Sequence, residues 1–89
     1  MAIVIGHHRV KNVTAWKPFY DDDLKRREEA GIKQLELGTK DDDPNDVYMV
    51  FDVKDPSTFK GMINDPELRA VMDKAGVISA PEFFVINEI

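Results

Sequence analysis

The chain contains two histidines, which are adjacent to each other near its start. His7 and His8 lie in an apolar stretch that alternates like a β-strand, so their side chains are expected on opposite faces of a sheet. A shared metal ion is therefore disfavoured, and no further ligands stand at a recognised metal-binding spacing. A neutral imidazole in a pocket can transfer a proton or orient a phenol or carbonyl, and a hydrogen-bonded structural histidine is the alternative.

Aromatic side chains form a second feature that suits a binding site. Trp16 and Tyr20 are one helical turn apart, on the same face of a predicted helix. Such a pair can position a flat aromatic ligand in an apolar pocket, but it also fits an ordinary hydrophobic core. The other aromatic residues that can join the pair are Phe51, Phe83 and Phe84.

Charged residues near these positions have two possible roles each. Arg26 and Arg27 offer positive charge for an acidic ligand group at a pocket mouth, or pair with neighbouring glutamates in water. Glu82 is predicted to open the last strand, beside the first, where it can pair with His8 or Arg9. A solvated carboxylate at the strand end is the alternative for Glu82.

The overall charge is acidic, with a formal net charge of −5, which disfavours nucleic acid as a partner. The aspartate runs at 21–23 and 41–43 are predicted to be solvated. Asp41, Asp43 and Asn45 are spaced like calcium ligands, but Asp46 replaces the required glycine, so calcium is not expected. There is no cysteine and no glycine-rich phosphate loop, so neither a metal nor a cofactor is expected.

The elements that must position these side chains follow from the hydrophobic periodicity of a single domain, residues 1–89. Alternation predicts strands at 2–10, 32–39, 47–53 and 81–89, with a polar loop at 40–46. Helical spacing predicts one helix before Gly31. Two Asp-Pro pairs predict helical pieces at 56–63 and 66–75, the second ended by Gly76. This order predicts an α+β fold, ferredoxin-like βαββαβ with a four-stranded antiparallel sheet.

The third and fourth strands are apolar on both faces, as in the alternation of Val47, Met49 and Phe51 with Tyr48 and Val50. The predicted helices are sufficient to cover only one face. A second copy of the chain is therefore expected to cover the other. No stretch is long and apolar enough for a signal peptide or a membrane span, so a cytoplasmic location is expected, without membrane contact.

Short motifs along nearly the whole chain resemble the small dimeric α/β-barrel proteins, which are similar to antibiotic-biosynthesis monooxygenases and are often labelled cyclases. These motifs are His8-Arg9-Val10, Ala15-Trp16-Lys17-Pro18, Asp43-Pro44-Asn45-Asp46-Val47, Glu67-Leu68, Ala75-Gly76-Val77 and Pro81-Glu82. The resemblance implies a homodimeric barrel of two face-to-face sheets, with helices outside and a ligand pocket between sheet and helices.

The resemblance also implies roles for individual residues. His8 would be the acid or base and Glu82 would orient it, while the substrate-binding residues would be Trp16, Tyr20, Phe51 and Phe84. The implied activity is that of a cofactor-independent monooxygenase or a cyclase acting on a flat aromatic or polyketide-like molecule.

Two other functions are compatible with this fold. A non-catalytic dimeric module that binds a small molecule, or serves assembly alone, fits the lack of a diagnostic catalytic constellation. An RNA-binding domain has the same topology, but the third strand lacks the basic, glycine-spaced aromatic signature of such domains.

Overall fold

The computed structural model describes residues 2–89 as four strands and four helices. The strands are β1 (Ala2–Arg9), β2 (Ile32–Lys40), β3 (Asp43–Val53) and β4 (Glu82–Asn87). The helices are α1 (Val13–Asp22), α2 (Leu24–Glu29), α3 (Pro56–Ile63) and α4 (Pro66–Ala75). The predicted order is confirmed, with each helical region divided into two pieces.

The strands form one antiparallel sheet in the order β2-β3-β1-β4, the ferredoxin-like arrangement. β1 and β3 are the central strands, and Val4 of β1 lies opposite Phe51 of β3 and Val85 of β4. β2 lies at an edge and carries an irregularity between Gln34 and Glu36. β4 lies at the other edge.

The boundaries of the helices follow the capping residues. Asn12, Asp55 and Asp65 each accept a hydrogen bond from a backbone N–H of the first turn that follows. The Asp-Pro prediction for α3 and α4 is confirmed to the residue. Both glycines that follow a helix adopt the left-handed conformation, with φ of +74° at Gly31 and +86° at Gly76.

Two predicted segments are different in the structure. The first helix is broken at Asp23, so that α1 and α2 are separate. The polar stretch 40–46 is not a long loop, because β3 begins at Asp43 and Lys40 is paired with it. Backbone ladders do not require apolar side chains, and Asp43 is further held by a 2.9 Å ion pair with Arg9.

The helices cover one face of the sheet, which we call the helix face. Its buried residues include Val4 and His8 of β1 and the alternate positions of β3: Val47, Met49, Phe51 and Val53. The opposite face, called the open face, carries Ile3, Ile5, His7, Tyr48, Val50, Glu82, Phe84 and Ile86, which are half-buried or exposed. Of the helices within residues 2–89, none has both the length and the apolar character needed to cross a membrane.

Candidate functional site

An apolar cavity of about 70 Å³ lies between the helix face and the helices. Four of the six side chains predicted for a site line it together: His8, Trp16, Tyr20 and Phe51. Three methionines and two further phenylalanines complete much of the wall: Met49, Met62, Met72, Phe59 and Phe83. The predicted location of a pocket between sheet and helices therefore agrees with the geometry.

His8 is the polar group of this cavity that is best suited to proton transfer. Its residue is 4% exposed, and its Nδ1 atom is buried without a hydrogen-bond partner among residues 2–89. Burial lowers the pKa of the imidazole below its usual value of 6.5, outweighing smaller opposing effects of the backbone and of Asp46. The ring of Trp16 meets the imidazole edge-on, with 5.5 Å between ring centroids. The His8 imidazole is therefore neutral at pH 7.

Helix α1 brings two aromatic rings to the cavity at the predicted spacing. The centroids of Trp16 and Tyr20 are 5.0 Å apart, with the planes inclined by 32°. The Tyr20 hydroxyl donates a 2.9 Å hydrogen bond to Oε1 of Gln34 on β2. Burial raises the pKa of Tyr20, an effect that the nearby charge of Arg27 opposes, so the phenol stays protonated.

A glycine in β1 makes room for the aromatic wall on the β4 side. Phe83 lies directly across from Gly6, and a methyl group at Gly6 would overlap atoms of the Phe83 ring. The ring of Phe59 on α3 packs edge-on against Phe83, at 5.2 Å between centroids. The close approach of backbone and ring fixes where Phe83 enters the cavity.

Glu82 and Phe84 lie on the open face and are separated from the cavity by the sheet. The prediction that Glu82 pairs with His8 or Arg9 is wrong, because Glu82 lies opposite His7 in the β1–β4 register. Its Oε2 atom is 3.5 Å from Nε2 of His7. Successive residues of a strand face opposite sides, so only a register shifted by one residue would bring Glu82 to the face of His8.

Phe84 is 55% exposed and does not line the cavity, whereas Phe83 does. The predicted aromatic set contained both residues, and alternation along β4 allows only one of them to reach the helix face.

His7 forms its own cluster on the open face. Its Nδ1 atom is 3.1 Å from Oδ1 of Asp46, and its ring stacks on Tyr48 with 4.6 Å between centroids. The two histidines thus point to opposite faces, as predicted. Within residues 2–89, no three histidine, cysteine or acidic side chains converge in a geometry that would hold a metal ion.

The cavity also contains a residue that the sequence predicted to be solvated or at a pocket mouth. Arg27 is only 7% exposed, and its guanidinium carbon lies 3.7 Å from the centroid of the Tyr20 ring. At the break, the Tyr20 carbonyl accepts a 3.2 Å hydrogen bond from the Asp23 N–H and a 2.8 Å hydrogen bond from Nη1 of Arg27. The seven-residue spacing from Tyr20 was the available signal, since residues seven apart share a helical face.

Comparisons with known proteins identify the architecture. The chain matches no protein-family profile and no curated protein sequence. An antibiotic biosynthesis monooxygenase is similar in structure, with 15% identity, a TM-score of 0.71 and coverage of 100% of this chain and 99% of that one. A conserved protein from Methanosarcina mazei Go1 has 12% identity and a TM-score of 0.72, covering 99% of this chain and 92% of that one.

A candidate antibiotic biosynthesis monooxygenase from Caulobacter crescentus CB15 gives the same result. It is 11% identical, with a TM-score of 0.72 and coverage of 99% of this chain and 89% of that one. These likenesses extend over nearly the whole of this chain and concern the fold. The chain has the fold of the antibiotic biosynthesis monooxygenase-like domain proteins.

Proposed function

We propose that this protein binds a flat aromatic molecule in the cavity and acts on it as a cofactor-independent monooxygenase or cyclase. The observation that carries the proposal is His8, a buried neutral imidazole whose Nδ1 atom has no protein partner within residues 2–89 and which faces an apolar, aromatic cavity. A base in a dry site is well suited to removing a proton from a phenol or from an activated ring carbon.

Monooxygenation needs only substrate and dioxygen in this proposal. His8 accepts the proton at the ring nitrogen that carries no hydrogen, so the tautomer decides which nitrogen acts. The resulting electron-rich ring reduces O₂, so that a ring CH₂ becomes C=O while the second oxygen atom leaves as water. Trp16 and Tyr20 hold the ring against His8, and the apolar wall limits access of water.

The cyclase version of the proposal uses the same proton acceptor. His8 removes a proton from a carbon beside a carbonyl, and that carbon attacks a second carbonyl of the same molecule. The new C–C bond forms as the carbonyl oxygen takes up a proton. The two reactions differ in whether dioxygen is consumed, which a single measurement separates.

The size of the cavity limits the ligand. A cavity of about 150 Å³ encloses benzene, whereas this cavity measures about 70 Å³. A bound ring must therefore displace wall side chains or extend beyond Phe19, which lines the cavity and is partly exposed. Met49, Met62 and Met72 are adaptable in shape, which favours displacement of the wall.

A homodimer in the cytoplasm, with no nucleic-acid or membrane partner, completes the proposal. The open face exposes Phe84 by 55% and Ile86 by 47%, beside the half-buried Ile3 and Ile5. A continuous apolar sheet face of this kind is typical of an interface. A second copy placed with its own open face against this one would cover both, and the cavity of each copy would remain on the outside.

The test compares the two adjacent histidines. Purified His8→Gln and His7→Gln variants are assayed for oxygen uptake and product formation with a panel of one- to three-ring phenols. Loss of a general base lowers the rate by about 10²- to 10⁴-fold, so His8→Gln is expected to lose activity and His7→Gln to keep it. A folded His8→Gln protein with the rate of the wild type would contradict the proposal.

The alternative proposal is a dimeric module that binds a small molecule, or has a structural role, without catalysis. Two observations favour it: the cavity is small, and no carboxylate in residues 2–89 hydrogen-bonds the His8 ring to activate it. A thermal-shift screen with aromatic ligands distinguishes the two. Stabilisation by ligands that are never turned over would support the module.

A further inference from the structure

Arg27 is a buried cation at the boundary between the cavity and a neighbouring open groove. It lines both, as do Tyr20 and Ile32. At 7% exposure, its guanidinium has lost most of its contact with water. Burying a charge is unfavourable unless it is paired and hydrogen-bonded, so the neighbours of Arg27 should compensate for it.

The protein supplies only part of that compensation. A guanidinium has five N–H donors, which lie in its plane. Nη1 donates to the Tyr20 carbonyl at 2.8 Å, and the Tyr20 ring covers one face of the group at 3.7 Å. Stacking on the Tyr20 ring stabilises the flat face of the guanidinium, but it provides no acceptor for the N–H donors that lie in the plane. Nε is buried and has no hydrogen-bond partner in the described part of the chain.

No carboxylate of residues 2–89 forms an ion pair with Arg27, although acidic residues outnumber basic ones by 17 to 12. Asp23 lines the same cavity, but its Oδ1 atom is 3.0 Å from Nε of Arg26. The neighbouring arginine is therefore paired in the ordinary way, and the buried one is not. In an acidic chain, this pattern points to a negative charge that comes from outside the fold.

We propose that Arg27 is the anion-binding residue of the cavity and that the ligand is an aryl carboxylate. This inference rests on the proposed binding of an aromatic ring beside His8 and Trp16, and it adds the chemical class. A carboxylate accepts two parallel hydrogen bonds from one edge of a guanidinium, and the edge that contains Nε is the one without a protein partner. The ring then lies in the apolar cavity and the carboxylate at its boundary.

The neighbouring groove is a suitable route for such a ligand. Three lysines line it in addition to Arg27, namely Lys17, Lys33 and Lys54, together with the acids Asp21, Glu28 and Asp52. Asp21 is paired with Lys17, at 2.7 Å between Nζ and Oδ1. The hydrogen bond from Tyr20 to Gln34 joins α1 to the edge strand at the same boundary, so entry from the groove requires this bond to open.

The test uses two probes of nearly equal shape, benzoate and benzamide, titrated into the full-length protein and followed by ¹H–¹⁵N NMR. Trp16 is the single tryptophan, so its indole N–H signal reports cavity binding without ambiguity. Charge-assisted pairing predicts that benzoate binds about tenfold to a hundredfold more tightly than benzamide. The Nε–H signal of Arg27 should move on addition of benzoate and not of benzamide.

Matched variants assign the effect to one side chain. Arg27→Gln is expected to bring the benzoate-to-benzamide ratio close to one, and Arg26→Gln to leave it unchanged. Arg27→Lys keeps the charge without the forked geometry and should recover part of the preference. If Arg27→Gln fails to fold, the ratio and the Nε–H shift of the wild type decide.

Three results would overturn the inference. Equal affinities for the two probes would rule out the anion-binding role of Arg27 and would still agree with binding of an aromatic ring in the cavity. Benzoate binding without movement of the Arg27 Nε–H signal would place the anion elsewhere. Absence of binding by either probe also overturns it, and oxygen uptake with neutral phenols then decides the proposed function separately.

Discussion

The two faces of the sheet carry similar residues and give them opposite surroundings. On the helix face, His8 lies in an apolar cavity against Trp16, and its Nδ1 atom has no partner within residues 2–89. On the open face, the adjacent His7 lies between Asp46 and Glu82, at 3.1 and 3.5 Å. Identical side chains thus acquire different chemistry because strand geometry sends them to opposite faces.

The difference extends to the apolar residues. Phe59 packs over the helix face and is 1% exposed, whereas Phe84, on the open face, is 55% exposed. A helix layer fills the first face with side chains from distant parts of the chain, and nothing in residues 2–89 does so for the second. The helix face is therefore a core, and the open face is an uncovered sheet surface within residues 2–89.

The largest effect is expected when one phenylalanine is replaced on each face of the sheet. Phe59→Ala should lower the free energy of unfolding by about 3–5 kcal/mol, because it leaves a cavity in a packed core. Phe84→Ala should have a far smaller effect in dilute solution, where no partner covers the ring. Urea denaturation measures both, and equal losses at low protein concentration would contradict the assignment of the faces.

A charge on the open face tests whether that face is an interface. Ile86→Lys should shift the protein from dimer to monomer, because an unpaired ammonium group would be buried between the sheets. Size-exclusion chromatography with light scattering measures the mass, and circular dichroism should show an unchanged fold. Lys60→Glu, at an exposed position of α3 on the other side of the sheet, is the control. A wild-type protein that is monomeric at high concentration would contradict the proposed dimer.

Gly6→Ala tests how tightly the helix face is packed. The added methyl group meets the Phe83 ring, so we expect a loss of about 1–3 kcal/mol of stability, typical of overpacking. Gly38→Ala is the matched control, since a methyl group there has no neighbour within 4 Å. Phe83→Leu combined with Gly6→Ala should recover part of the loss. Equal stability of the two alanine variants in urea would show that Phe83 moves aside freely.

The smallest expected effect is on the pH dependence of the free energy of unfolding. Burial lowers the pKa of His8 in the folded protein below 6.5, so the unfolded chain binds this proton more readily. Stability contributed by neutral His8 is present above pH 6.5 and decreases as the pH falls below it. Urea midpoints across this range should fall less steeply for His8→Gln than for the wild type. An unchanged slope would contradict the assignment of His8 as a buried neutral base.

Much of the architecture could be predicted from local patterns. The Asp-Pro pairs defined α3 and α4, and alternation placed His7 and His8 on opposite faces. The segment 40–46 was predicted wrongly because its polar residues suggest a loop, while its backbone pairs with β2 and β1. Strand pairing depends on partners that are distant in sequence, and side-chain polarity does not report it.

The candidate site could be predicted only in part, because some of its contacts also depend on residues that are distant in sequence. His8, Trp16, Tyr20 and Phe51 meet as expected because each follows a periodicity that is local to one element. Glu82 and Phe84 were misplaced, because the register of β4 against β1 decides which alternate residues reach the helix face. Arg27 was expected in water or at a pocket mouth, whereas the structure buries its guanidinium against the Tyr20 ring.

The amino-acid sequence by itself determined the elements, their caps and the alternation of apolar side chains, since these depend on neighbours within a few residues. Only the tertiary structure decided which histidine is enclosed, which histidine lies beside carboxylates, and which arginine is buried without an acidic partner among residues 2–89. Those outcomes depend on strand register and on helix packing, in which residues far apart in the chain exclude water from one another.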